Sequence, residues 1–216
     1  LTFLRSERAH ATINSIDKSK AEALPGIIAV FTGEDIKDKI LPLPQPVVQP
    51  ALPARFPKHW PLAVGKVKFH GEAVAAIVSR DKYVGADAAE LIEIDYEDLP
   101  YIGDAEKALE PGSPLVHDDW EDNLMFEMGF TGGDTEESQA ENDAEVEKIM
   151  QTADIVVKKR FRVQRCGVTP METRGVLASW DDSDGLTAHI TTQRPHIDRV
   201  ALSDILEIPN EKMRIV

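Results

Sequence analysis

The sequence offers few places where side-chain chemistry could converge, and the best of them holds a glutamine. Gln193 lies between two periodic stretches. Leu186–Thr192 alternates and carries β-branched residues, which predicts a half-buried strand. Pro195 suits a first helical turn, where a missing N–H has no partner to lose. A neutral amide between the two can donate an N–H to an oxo or carbonyl oxygen without adding charge. Loops held by a rigid scaffold are also where functional groups gather. The competing role is a glutamine that caps the following helix, and residue type alone favours it. Cys166 would need a base and an oxyanion site to act as a nucleophile, and its neighbours supply neither; a buried, inert thiol is the expectation. The six histidines (His10, His59, His70, His117, His189 and His196) include no His-x-x-x-His pair and none beside a cysteine, so no metal is expected. The carboxylates of Asp118–Glu147 lack the order of a calcium loop and read as a solvated acidic segment. Gly132-Gly133 follows no strong strand and opens no helix, so it is no phosphate loop.

The elements that must position Gln193 read as strand, turn, helix, strand. Ile197, Val200, Ala201, Ile205 and Ile208 form a helical stripe, Pro209 stops it, and Arg214–Val216 begins a strand. Arg174–Trp180 pairs with Gly185–Thr192 as a hairpin across Asp181-Asp182-Ser183-Asp184. Ala144–Thr152 has helical spacing, and Ala153–Gln164 predicts a long strand with Ile155, Val157, Phe161 and Val163 facing in. A final strand without its continuation, and a start without Met, lead us to expect a piece of a longer protein.

Upstream, Ala11–Ile16 predicts a strand, and Asp17 can cap a helix over Lys18–Leu24. Ile27–Phe31 is a candidate buried strand, followed by a turn at Thr32–Asp35. Leu41–Pro61 is too rich in proline for helix or central strand. Ala73–Val78 is the strongest buried strand, Asp81 caps a helix through Leu91, and Glu93–Glu97 alternates as a strand. The first hundred residues thus hold two strand–helix–strand units, and the class is α+β with mixed sheets. The apolar content of 42% allows a sizeable core, and no apolar run approaches a membrane span. A net charge of −14 argues against a nucleic-acid partner. A single cysteine and the lack of a signal peptide make a cytoplasmic location the default.

Several ordered segments resemble the molybdenum hydroxylases, the family of xanthine dehydrogenase, aldehyde oxidoreductase and the aerobic carbon monoxide dehydrogenase large subunit. They include Leu24-Pro25-Gly26-Ile27, Val30-Phe31-Thr32-Gly33-Glu34-Asp35, Phe69-His70-Gly71-Glu72-Ala73-Val74-Ala75 and Asp95-Tyr96-Glu97-Asp98-Leu99-Pro100. Pro170-Met171-Glu172-Thr173-Arg174-Gly175 and Thr192-Gln193-Arg194-Pro195-His196 continue the match. The resemblance implies an α/β hammerhead domain over residues 1–113, an acidic linker over 114–143, and the N-terminal part of a molybdopterin-binding domain over 144–216.

It also implies a reaction class: hydroxylation of an aldehyde or heterocycle, or oxidation of carbon monoxide, with oxygen from water. A molybdenum–molybdopterin cofactor would serve the full-length protein, with iron–sulfur clusters and FAD on partner subunits or domains, in a hetero-oligomer acting on a small molecule. At the position that Gln193 resembles, the family's glutamine hydrogen-bonds an oxygen ligand of molybdenum, a contact that can tune the metal. The catalytic glutamate and the main pterin loops would follow Val216, so no residue here is expected to be catalytic and the segment alone is expected to be inactive. Two rivals are a stand-alone assembly or binding module, and a hydrolase using Cys166 or a histidine.

Overall fold

The computed structural model describes residues 1–44, 55–126, 132, 135–164 and 166–216. They fall into two compact units, one of residues 1–45, 56–124 and 175–216, the other of 46–55 and 125–174. The prolines Pro46, Pro50 and Pro53 of the predicted excursion lie outside the described residues, as does Gly133.

The larger unit begins with β1 (Thr2–Arg5), β2 (Ala11–Asp17), α1 (Ser19–Glu22), β3 (Ile27–Thr32) and α2 (Gly33–Ile36). It continues with β4 (Lys66–Val67), β5 (Ala73–Ser79), α3 (Lys82–Glu90) and β6 (Glu93–Asp98). These strands form two three-stranded sheets, ordered β1-β5-β3 and β4-β2-β6. Every pairing in them is antiparallel. The two strand–helix–strand units therefore each step from one sheet to the other.

β5 owes its apolar run to its position: it pairs on both edges, and Val74, Ala75 and Ile77 are fully buried. Ala75 and Ile77 join Ala21, Val30, Ala88 and Ile92 in one core, while Val74 joins Ala11, Ala63 and Val67 in a second. Ile16 and Ile94 pack against both. Asp81 caps α3 as expected, its carboxylate accepting from the Tyr83 N–H at 2.7 Å.

Three local expectations need correction. β3 is not fully buried: it is an edge strand, with Ile28 and Phe31 exposed on its open side. Asp17 accepts from the Ser19 N–H at 3.0 Å, but the helix spans only Ser19–Glu22, because Lys18 is its boundary residue. The predicted turn after β3 closes into the short helix α2. There Asp35 accepts from the Thr32 N–H (2.8 Å), the Thr32 hydroxyl (2.9 Å) and the Lys18 ammonium (2.8 Å).

Residues 101–124 lie on the same unit. A single turn of 3-10 helix spans Lys107–Leu109. Asn123 donates to the carbonyls of Ala108 (3.1 Å) and Pro114 (2.9 Å) and accepts from the Val116 N–H (3.0 Å). Lys66 and Asp118 form an ion pair.

The smaller unit contains α4 (Glu136–Thr152). It starts earlier than spacing predicts, because Thr135 and Ser138 cap each other reciprocally. The predicted strand Ala153–Gln164 is not formed. No described strand pairs with it, and Ile155, Val157, Phe161 and Val163, which would have faced in, are each about four-fifths exposed. A strand without a hydrogen-bonded neighbour has nothing to hold its backbone extended.

The larger unit ends with β7 (Val176–Asp181), β8 (Gly185–Ile190), α5 (Pro195–Leu206) and β9 (Met213–Ile215), in a mixed sheet ordered β7-β8-β9. The hairpin forms, but Asp181 belongs to β7 and lies opposite Gly185, so the turn is Asp182-Ser183-Asp184, one residue shorter than expected. Gly185 has φ +83°, and a Cβ there would lie 2.1 Å from the Lys212 carbonyl oxygen. Only glycine lets β8 begin this close to the residue preceding β9.

Two outcomes test this part of the structure. A Cβ at the buried Gly33 would sit 2.0 Å from the Ala63 carbonyl oxygen, so backbone must move. Gly33→Ala is expected to cost about 1–3 kcal/mol in urea unfolding; an unchanged midpoint would show that α2 does not seat there. Burial pushes the Asp35 carboxyl up, but the hydrogen bonds from Lys18 and Thr32 outweigh it and hold it down at about 2. Burial likewise pushes Lys18 down, and Asp35 with Glu22 more than reverses it, so Lys18 is raised. The pair therefore stabilises fully between the ordinary values of 3.8 and 10.5. Its acid limb is lost as pH falls from about 4 towards 2, and its basic limb as pH rises above the ordinary lysine value. Asp35→Asn should remove about 1 kcal/mol of the stability lost on that acid limb, solvent screening included. Parallel stability–pH curves for the two proteins between pH 5 and 2 would contradict this.

Candidate functional site

β8, α5 and β9 form a crossover joining two parallel strands. Leu186, Thr187 and Ala188 lie beside Met213, Arg214 and Ile215 in parallel register. The ladder extends past both strands, with the Ile190 N–H donating to Val216 O (3.0 Å) and the Val216 N–H to Ala188 O (2.9 Å). Loops at the carboxyl ends of parallel strands open onto the crevice where ligands bind in α/β sheets. Gln193 stands in that position, in the bend between β8 and α5, and it is exposed.

The turn around Gln193 is held on both sides. Toward the sheet, the Thr191 N–H donates to Gly175 O at 3.2 Å, and the Gly175 N–H donates to Thr191 Oγ1 at 3.3 Å. Toward the helix, the Arg194 N–H donates to Thr192 Oγ1 at 2.9 Å, and the Thr192 hydroxyl donates to the Asp198 carboxylate. The Arg194 guanidinium lies 3.8 Å from the same carboxylate, and the Asp198 N–H donates to Arg194 O at 3.0 Å. Gln193 does not cap α5: the boundary residue is Arg194, with no side-chain cap. Among the described residues the Gln193 amide makes no hydrogen bond, so its two N–H donors and its carbonyl face outward uncommitted.

α5 starts with Pro195 as expected but ends at Leu206, before Pro209 can act. Glu207 turns left-handed (φ 52°), and the Ile208 N–H donates to Ser203 O at 3.1 Å, closing the last turn. The predicted stripe is covered only toward this end: Ile205 is buried, and the Leu41 N–H donates to its carbonyl at 2.9 Å. Ile197 and Val200 remain exposed near the Gln193 end.

Other candidates do not assemble. Cys166 is exposed, contrary to expectation, because residues 166–174 carry no covering layer among the described residues. Its only described hydrogen bond is a weak one to Gln164 O at 3.7 Å, which supplies no base. No group of three His, Cys, Asp or Glu among the described residues could hold a metal. His10 is buried against Pro100 O (2.8 Å from Nδ1), whereas His189 and His196 are exposed. His117 lies against Trp120 with the ring planes tilted by 38°, and burial, aided by Lys68, pushes its imidazole below the usual value.

Sequence reasoning missed a cavity of about 540 Å³ lined by His59, Lys68, Phe69, Val116 and His117 with Leu43, Pro44 and Pro57. Its walls come from segments distant in sequence, and no local pattern announces them. No helix among the described residues is long and apolar enough to cross a membrane.

Residues 1–100 match the a/b hammerhead domain of aldehyde oxidase and xanthine dehydrogenase, and residues 116–216 match a molybdopterin cofactor-binding domain. The chain is 38% identical to the carbon monoxide dehydrogenase large chain of Afipia carboxidovorans, over 99% of its own length and 26% of that protein. It is 32% identical to a probable xanthine dehydrogenase subunit of Bacillus subtilis, over 99% and 26% respectively. The crystal structure of quinoline 2-oxidoreductase from Pseudomonas putida 86 superposes with a TM-score of 0.83 at 28% identity, covering 99% of this chain and 26% of that one. The chain thus spans about a quarter of the length of these relatives. With a hammerhead match followed in order by a cofactor-domain match, and relatives similar along the whole chain, this chain belongs to the molybdenum hydroxylase family.

Proposed function

We propose that this chain is the N-terminal part of the large, molybdenum-cofactor-binding subunit of an oxidoreductase that hydroxylates an aldehyde or heterocycle or oxidises carbon monoxide. The observation that carries the reading is the uncommitted Gln193 amide at the carboxyl edge of parallel strands β8 and β9. The residues present fit the implied group. A neutral amide can donate to an oxygen ligand without altering the charge of the site, and the first N–H groups of α5 add partial positive charge beside it. The two-electron oxidation and the water-derived oxygen are the chemistry that a molybdenum–molybdopterin group supplies when bound.

This chain's own residues orient rather than react. The β8–β9 ladder fixes the end of the strand, the Thr192 and Asp198 contacts fix the turn, and Gln193 would donate an N–H to an oxygen ligand of the group when it is bound. Among the described residues near Gln193 no side chain is placed to move a proton, and we assign the acid–base work to the remainder of the enzyme. We assign residues 1–113 to the hammerhead, 114–143 to an acidic connection and 144–216 to the start of the cofactor domain. The partners are an iron–sulfur subunit and a flavin subunit, or domains of those kinds, in a cytoplasmic hetero-oligomer.

In the whole enzyme that contains this chain, Gln193→Ala should lower turnover by about 10–100-fold, the usual cost of losing a contact to a metal's ligand. Iron and flavin contents should stay constant. Unchanged turnover would remove Gln193 from the site. The 216-residue chain purified alone should show no turnover and no stoichiometric molybdenum; one molybdenum per chain by elemental analysis would sink that expectation.

A further inference from the structure

Around Gln193, the side chains of Thr191, Thr192, Arg194 and Asp198 are engaged with one another or with the adjoining strand. Thr191 is tied to Gly175, and Thr192 and Arg194 both converge on Asp198. Asp198 stands in the first turn of α5, and its side chain is 23% exposed, so the contact is partly shielded from water. It does not cap in the usual sense, because its carboxylate reaches back across the boundary residue to a hydroxyl six positions earlier. The bonds Arg194 N–H to Thr192 Oγ1, Thr192 hydroxyl to Asp198, and Asp198 N–H to Arg194 O form a closed ring. Gln193 is the residue that ring spans, with its side chain pointing out uncommitted.

We infer that Asp198 is a positioning residue that fixes the backbone from which the Gln193 side chain projects, by closing the Thr192-Gln193-Arg194 turn onto α5. This rests on the reading of Gln193 given above, and it assigns Asp198 no contact with substrate or cofactor. A partly buried hydroxyl that loses its acceptor releases the Arg194 N–H it accepts from, and the turn then samples other directions. Asparagine can still accept from the Thr192 hydroxyl through its amide oxygen, so charge and positioning are separable by substitution.

The test is amide hydrogen exchange by NMR on the 216-residue chain. Asp198→Ala and Thr192→Val should each speed exchange at the Arg194 N–H about fivefold, the effect of losing one helix-start contact. Asp198→Asn should restore exchange to within about twofold of the parent. The Ile190 N–H, which belongs to the β8–β9 ladder, should be unaffected throughout. Unchanged exchange at Arg194 in Asp198→Ala, or an equal rise at Ile190, overturns the inference, because the first shows no restraint and the second a loss of fold. Faster exchange at Arg194 alone, together with undiminished turnover in the Gln193→Ala enzyme, keeps the positioning role of Asp198 and removes the cofactor reading.

Discussion

Parallel pairing of β8 with β9 is the constraint from which the site follows. Two parallel strands cannot be joined by a tight turn, so the chain must leave the end of β8, travel back along the sheet and re-enter. α5 is that return path, and its start lies by necessity at the carboxyl end of β8. Whatever residues bridge the strand to the helix are placed at the carboxyl edge of the parallel pair whether or not they have a function there. What distinguishes this bridge is how its polar groups are used. Thr191, Thr192, Arg194 and Asp198 satisfy one another or the adjoining strand, and the one amide left over is that of Gln193. The opposite end of the crossover is equally determined: Gly185 must lack a Cβ so that β8 can begin beside Lys212.

Much of this is legible in the sequence wherever a residue acts through its own local geometry. Asp81 and Pro195 mark helix starts because a carboxylate seeks free N–H groups and a proline has none to lose. Ala73–Val78 reads as a buried strand because its apolar run is unbroken, and β5 is paired on both edges with Val74, Ala75 and Ile77 fully buried. The errors share a cause of the opposite kind. β3 and Ala153–Gln164 have strand composition, yet their burial depends on neighbours that composition does not specify. Burial of Cys166 is the expectation because cysteine is usually buried, but its segment has no covering layer among the described residues. At the candidate site, the place of Gln193 is readable and its freedom is not. Helix capping by Gln193 is the simpler expectation, and it fails because the Thr192–Asp198 contact, six residues apart and outside any standard capping pattern, closes the turn instead. The end of α5 escapes for the same reason, since a glutamate in a left-handed conformation at Glu207 carries no compositional signal.

The two ends of the larger unit differ in how completely they bury their apolar groups. The antiparallel sheets of the first hundred residues enclose two cores that share Ile16 and Ile94, so that side chains from both sheets are held in one packed region. The β7-β8-β9 sheet, by contrast, leaves Val176 and Leu177 exposed on adjacent positions of an edge strand, which face opposite sides of the sheet. α5 leaves Ile197 and Val200 exposed as well.

This division bears on how chemistry is distributed in such an enzyme. A group that tunes a metal through one of its ligands needs an accurate direction more than it needs a reactive pKa. Accuracy comes from backbone ladders and closed hydrogen-bond rings, and those are what surround Gln193. A residue that moves protons needs a perturbed environment instead, built from burial and neighbouring charge. No such environment surrounds the Gln193 turn among the described residues: the clearest carboxylate perturbation, at Asp35, belongs to the capping of α2 and serves the fold. The segment therefore has the physical character of a holder. Its hydrogen-bonded turn restrains the backbone that carries Gln193.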